Sequence, residues 1–222
     1  MPRPNSEKVR QNKLQLIAVY GFPVVAIILD FFEKTRPVVA ALTPFMMVVV
    51  GIVAAFLTYQ PRIRTVAALA LVPGLFFVCE ALAASAGFPF GDLVFTRMAG
   101  PRVLDVPLVI PFASLGLLIP AWVASDRLLQ YKHIVVASIV VTAADGVMEF
   151  AADSLDLWHW RGGMSNELNY ISWFGISYVA FLILSRYAAE KESHPIVPHF
   201  LFAQLLYFAL TDIALQFILP LH

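Results

Sequence analysis

Seven apolar runs, each close to the length a helix needs to cross a bilayer, limit the architecture of this chain more than any other feature. A hydrocarbon core about 30 Å thick takes roughly 20 residues of helix. The runs fall at about 14–32, 37–58, 66–86, 107–124, 134–152, 170–189 and 197–219. Charged or turn-forming segments separate them: EKTRP, YQPRIR, the long stretch from Gly87 to Val106, SDRLLQYKH, LDLWHWRGGMSNELN and EKESHP. The pattern predicts an all-α integral membrane protein, a seven-helix bundle with residues 1–222 as one domain. Composition agrees. Residues are 60% apolar and 14% charged, where water-soluble domains carry about 25% charged residues. Pro23, Pro44, Pro73, Pro111 and Pro120 lie inside apolar runs, as membrane helices tolerate when neighbours re-satisfy the backbone.

The basic N-terminus, MPRPNSEKVRQNK, leads into the first run without a small-residue cleavage site, which predicts an uncleaved first membrane helix. Orientation follows from Lys and Arg. With the N-terminus inside, Arg3, Lys8, Arg10, Lys13, Arg62, Arg64, Arg127, Lys132, Arg186 and Lys191 are cytoplasmic. Lys34, Arg36, Arg97, Arg102 and Arg161 lie opposite. The excess predicts N-in and C-out, a multi-pass protein of the cell (inner or plasma) membrane. The net charge of +0 offers nucleic acid no partner, and the single Cys79 offers neither a disulfide nor a cysteine metal site.

Membrane-embedded acids are costly and usually face a cavity or the bundle interior. On this topology Asp30, Glu80, Asp145, Glu149 and Asp212 all fall toward the same side, which predicts one polar chamber there; Asp126 lies at the other side. In AADGVMEFAADSLDLWHW, Asp145, Glu149, Asp153 and Asp156 follow a helical spacing along one face. The last two read as the start of a solvated loop, and the first two as interior groups, catalytic or packed. Tyr170, Trp158, Trp160 and Trp173 fit either an interfacial aromatic belt or the walls of a site.

The five histidines, at 133, 159, 194, 199 and 222, form no spaced metal motif, and His159 reads as a loop residue. No Gly-rich phosphate loop or G-x-S-x-G is present, and the seventh run has no lysine for a retinal Schiff base. Acids, Asn169 and aromatics in an apolar setting suit proton transfer to a hydrophobic substrate. A carboxylic acid protonates an alkene, and carboxylates and ring faces stabilise the resulting cation. The same groups would also serve a proton-coupled transporter, so these residues alone leave enzyme and transporter open.

The segment GFPFGDLVFTRMAGPRVLDVPLVIPFA, preceded by Glu80, resembles the signature loop of membrane carotenoid-biosynthesis proteins that include carotenoid 1,2-hydratase and bisanhydrobacterioruberin hydratase. The matching positions are Gly87, Pro89, Phe90, Gly91, Gly100, Pro101, Val106, Pro107, Ile110 and Pro111. DGVMEFAADSLDLWHW is similar to the family's D-x-x-x-[DE] helix with its W-x-W end, and NYISWF to its N-[FY]-x-G-W segment. The chain departs from the pattern at Asp92-Leu93-Val94-Phe95, Ser114, Phe150 and Ser172. The resemblance implies a cofactor-independent hydratase, with no metal, adding water to the terminal C=C bond of an acyclic carotenoid. Its implied catalytic residues are Glu80, Asp145 and Glu149, and its substrate-binding residues Phe90, Trp158, Asn169 and Trp173; Asp92, at the mouth, joins the substrate-binding set as an additional acid where the family carries an aromatic. Partners would be a carotenoid or other long isoprenoid, the lipid bilayer and other carotenoid enzymes. Cyclisation or isomerisation through the same cation, and pigment binding without catalysis, stay open as alternatives.

Overall fold

The structure, a computed structural model, describes residues 6–129, 134–161 and 167–218. Arg3, Lys132, His133, Leu219 and His222, which enter the expectations above, lie outside the described residues. Among the described residues seven helices are long and apolar enough to cross a membrane. They are α1 (Ser6–Asp30), α2 (Arg36–Thr58), α3 (Ile63–Ala86), α4 (Val109–Leu129), α5 (Ile134–Ser154), α6 (Glu167–Tyr187) and α7 (Val197–Ile213).

The predicted runs and the helices coincide in number and order, and differ at their ends for local reasons. α1 stops at Asp30 rather than 32: Phe31 and Phe32 enter a turn closed by the Thr35 hydroxyl, which donates to the carbonyls of Leu29 and Phe32. α3 begins at Ile63, ahead of the apolar run, because Arg62 and Arg64 sit at a helix end where charge is tolerated. α4 begins two residues later than expected. Pro107 instead belongs to a two-residue strand, β3 (Val106–Pro107), paired antiparallel with β2 (Arg102–Val103). At its other end α4 runs on to Leu129, and Arg127 in the last turn complements the helix dipole and donates to the Ser193 carbonyl at 2.5 Å. α6 starts at Glu167, an acid in the first turn. α7 passes into a π-helical turn at Ala214–Ile218.

α4 is the most buried of the seven helices and α1 the least. Backbone meets backbone where α2 crosses α4. A Cβ placed on Gly51 would lie 2.8 Å from the Gly116 nitrogen, and one on Gly116 would lie 2.2 Å from the Met47 carbonyl oxygen. Small residues give membrane helices this approach.

The two ends of the bundle are built differently. At one, Tyr59 bridges to Glu190, the Gln60 N–H donates to the Ala189 carbonyl at 2.8 Å, and Trp122 Nε1 donates to Glu190 Oε1 at 3.0 Å. At the other, β1 (Leu93–Phe95) pairs antiparallel with β4 (Trp158–Trp160), in the register Leu93↔Trp160, Val94↔His159 and Phe95↔Trp158. This ribbon ties the segment after α3 to the segment after α5, and it covers the acid-bearing halves of both helices.

Candidate functional site

α3 and α5 each place carboxyl groups beneath the β1–β4 ribbon. Glu80 lies in the last two turns of α3, which ends at Gly87 with φ +69°, a left-handed conformation suited to glycine. Asp145 and Glu149 are four residues apart on α5, so they project from one face. All three are buried, with exposures of 4%, 1% and 9%. They line one cavity of about 40 Å³ together with Phe90, Leu93, Phe95, Ile110, Trp158, Asn169 and Trp173. That is room for a water molecule or two.

Glu149 is the most heavily bonded of the acids. Trp160 Nε1 donates to its Oε2 at 2.6 Å, Trp158 Nε1 to the same atom at 3.1 Å, and Asn169 Nδ2 to its Oε1 at 3.3 Å. Asn169 Nδ2 also donates to Asp145 Oδ2 at 3.2 Å, so one amide from α6 spans both acids of α5. Three N–H donors converging on one carboxyl group are matched to an acceptor-only carboxylate. Glu80 differs: its Oε2 has no hydrogen-bond partner among the described residues.

The aromatic walls are set by the loop after α3. Phe90 is buried and packs on Trp173 with ring centroids 5.9 Å apart, and Phe76 also packs on Trp173, at 5.4 Å. The Ser172 hydroxyl donates to the Pro89 carbonyl at 2.6 Å and fastens this rim to α6. Asp92 is exposed and is not among the cavity-lining residues. Its carboxylate lies over Gly87, where a Cβ would meet Oδ1 at 2.8 Å, and its backbone carbonyl accepts from the Arg161 N–H at 3.1 Å.

Seven of the eight residues singled out in the sequence thus surround one cavity: Glu80, Asp145, Glu149, Phe90, Trp158, Asn169 and Trp173. The expectation of a single chamber holding all the acids on that side needs correction. Asp30 accepts from Tyr207 at 3.2 Å and Thr211 at 3.3 Å in a separate cluster between α1 and α7. Asp212 pairs with Gln216 at 2.5 Å and Ser154 at 3.4 Å. Trp160 is the residue whose part the sequence reading did not identify: only the strand pairing of β4 aims its N–H at Glu149. Leu93 and Phe95 also line the cavity without a signal beyond hydrophobicity, whereas Ile110 belongs to the motif resemblance.

His159 lies on β4 rather than in an irregular loop. Its Nδ1 meets Asp153 Oδ1 at 2.5 Å and its Nε2 meets Asp156 Oδ1 at 2.7 Å. The hydrogen bond to Asp153 is the chief cause that raises its pKa above the usual histidine range, partly opposed by burial and helped by Asp156. This clamp joins the strand bearing Trp158 and Trp160 to the end of α5. Among the described residues no group of three or more His, Cys, Asp and Glu side chains could hold a metal ion.

Comparison with known proteins returns no matching curated protein and no matching solved structure. A family model described as carotenoid biosynthesis protein does match, over residues 40–221, which takes in most of α2, all of α3 to α7 and every residue of the acid cavity. The chain therefore belongs to the carotenoid biosynthesis protein family and has a role in making carotenoids.

Proposed function

We propose that the chain is a membrane enzyme that adds water across the terminal C=C bond of an acyclic carotenoid end group. The observation that carries this reading is the convergence of Glu80, Asp145 and Glu149 on one small cavity walled by Phe90, Trp158 and Trp173. Family membership supplies the substrate class.

Glu80 is the proton donor. Its carboxyl O–H passes a proton to the less substituted carbon of the terminal double bond, and the π electrons form the new C–H bond. A tertiary cation remains on the carbon bearing the two methyl groups. Glu149, held by three N–H donors, places negative charge beside it, and the faces of Trp158 and Trp173 stabilise it further. Asp145, oriented by Asn169, holds the water. The water oxygen bonds to the cation as Asp145 takes one of its protons. Proton return from Asp145 to Glu80 across the shared cavity restores both groups, so the net change is addition of one water. No redox partner or cofactor enters the balance.

Expression in a lycopene-producing host with mass analysis of the pigments tests this reading. Hydration adds the mass of water to the pigment, whereas cyclisation or isomerisation through the same cation adds nothing. Unchanged pigments from the intact chain, with lycopene, γ-carotene and longer acyclic carotenoids alike, would overturn it.

A further inference from the structure

A cavity much larger than the acid site lies outside it. It is a cleft of about 340 Å³ between α1, α2 and α7, within the range of roughly 300–1,000 Å³ typical of small-molecule sites. Its polar lining residues are Thr43, Gln204 and Tyr207. Thr43 Oγ1 donates to the Val39 carbonyl at 2.9 Å and meets Tyr207 Oη at 3.2 Å. Tyr207 Oη in turn donates to Asp30 Oδ2 at 3.2 Å, and the Gln204 amide donates to the Gly116 carbonyl at 2.9 Å. The rest of the wall is hydrocarbon or aromatic. Exposed Phe22 and Val25 form one lip and exposed Leu42 and Val49 the other, so the cleft opens sideways at the level of the lipid chains.

The cleft adjoins a second cavity. Thr43, Met47 and Phe208 wall both the cleft and an inner void of about 40 Å³. That void in turn shares Glu80, Ile110, Asp145, Trp158 and Trp173 with the acid cavity. The cleft, the inner void and the acid cavity therefore adjoin one another through shared wall residues. We propose that they form one lateral channel that binds a linear polyene, its end group at the acids and its chain running out past Met47 and Phe208 into the cleft.

The occupant follows from the walls and the continuity. A long hydrocarbon dissolved in the bilayer reaches an embedded site most directly through lipid, since passage through water would expose its whole surface. The separating residues suit a gate: Met47 is unbranched and adaptable, and Phe208 moves by rotation about two bonds. Placement of the reacting end group rests on the hydratase reading, while chain binding in the cleft stands apart from it.

An achiral polyene acquires circular dichroism in its visible band only when a chiral site holds it, so lycopene added to the full-length protein in phosphatidylcholine nanodiscs tests the channel. The intact chain and Glu80→Gln are both expected to give an induced band. Ala203→Trp and Val50→Trp, which fill the cleft from α7 and α2, are each expected to weaken it about tenfold at equal loading. Using both keeps the test decisive if one variant folds poorly. An absent band with the intact chain, as when a lipid acyl chain or a second copy fills the cleft, would overturn the channel. So would a band that neither tryptophan variant changes. Pigment mass in the same samples reports separately on hydration: an induced band without product leaves the channel standing and removes lycopene as the hydrated substrate.

Discussion

Trp160 Nε1 stands 2.6 Å from Glu149 Oε2, a hydrogen bond that joins a three-residue strand to the C-terminal third of a membrane helix. The donor is delivered by the pairing of β4 with β1, so the carboxylate's environment depends on the long loop between α3 and α4. Trp160→Phe keeps most of the ring and removes the N–H. A hydrogen bond to a charged group contributes about 1.5–3 kcal/mol, so pigment conversion is expected to fall roughly 10- to 100-fold. Turnover in nanodiscs measures this, with the melting temperature as control. Equal turnover in the variant would remove Trp160 from the mechanism.

The three cavity acids divide by role, and amide substitutions separate them. Glu80→Gln retains the shape of the side chain and cannot act as an acid. Conversion should drop by about 100-fold or more, the usual range for loss of general acid catalysis. Asp145→Asn is expected to act similarly through loss of the proton acceptor for water. Glu80→Asp, one methylene shorter, should retain partial activity. Full activity in Glu80→Gln would transfer the donor role to another carboxyl group.

His159 makes a prediction about pH. Its folded pKa is raised by the Asp153 hydrogen bond, so its stabilisation is complete below the unfolded value of about 6.5 and fades as pH rises through the folded value. The melting temperature of the intact chain should therefore decline over that window more than that of His159→Asn. The effect is small because the pair is largely exposed and screened. Histidine NMR supplies the direct check: a midpoint at or below the ordinary value would contradict the clamp.

Much of this architecture is legible before any coordinates. Twenty-residue apolar runs have few alternatives to helices in a bilayer, and the cost of embedded charge marks Glu80, Asp145 and Glu149 within them. The ribbon is not legible. LVF and WHW pair across about 60 residues with no turn chemistry between them, and nothing local sets their register. For that reason Trp160 reads either as an interfacial belt residue or as a site wall until β4 aligns it with Leu93. Asp92 shows the converse: an acid beside a recognised motif, which the fold places on the surface over Gly87 rather than in the cavity.

The contact of α2 with α4 sets the frame on which both cavities depend, since Met47 belongs to α2 and Ile110 to α4. Gly116→Ala would bring its new Cβ to 2.2 Å from the Met47 carbonyl oxygen, a backbone atom that cannot rotate away. Helix separation is then the only relief, at a cost of about 1–3 kcal/mol. Gly175→Ala, at an exposed position of α6, meets nothing within 4 Å and should be neutral or slightly stabilising by helix propensity. Thermal melts in one detergent compare the two, and equal melting temperatures would show that the helices tolerate the extra methyl.

Ser172 stands at the glycine position of the N-[FY]-x-G-W pattern that its segment resembles, and its hydroxyl donates to the Pro89 carbonyl at 2.6 Å. This bond holds the GFPFG rim, and hence Phe90, against Trp173. Ser172→Gly and Ser172→Ala both remove the donor, at about 0.5–1.5 kcal/mol for a neutral hydrogen bond. Both should loosen the rim without touching an acid. Conversion is then expected to fall less than about tenfold, with faster hydrogen exchange confined to residues 87–95. The glycine variant adds backbone freedom in the first turns of α6, so it should show the larger change. Unaltered exchange at the rim in both variants would mean that the loop is held by its ribbon pairing alone.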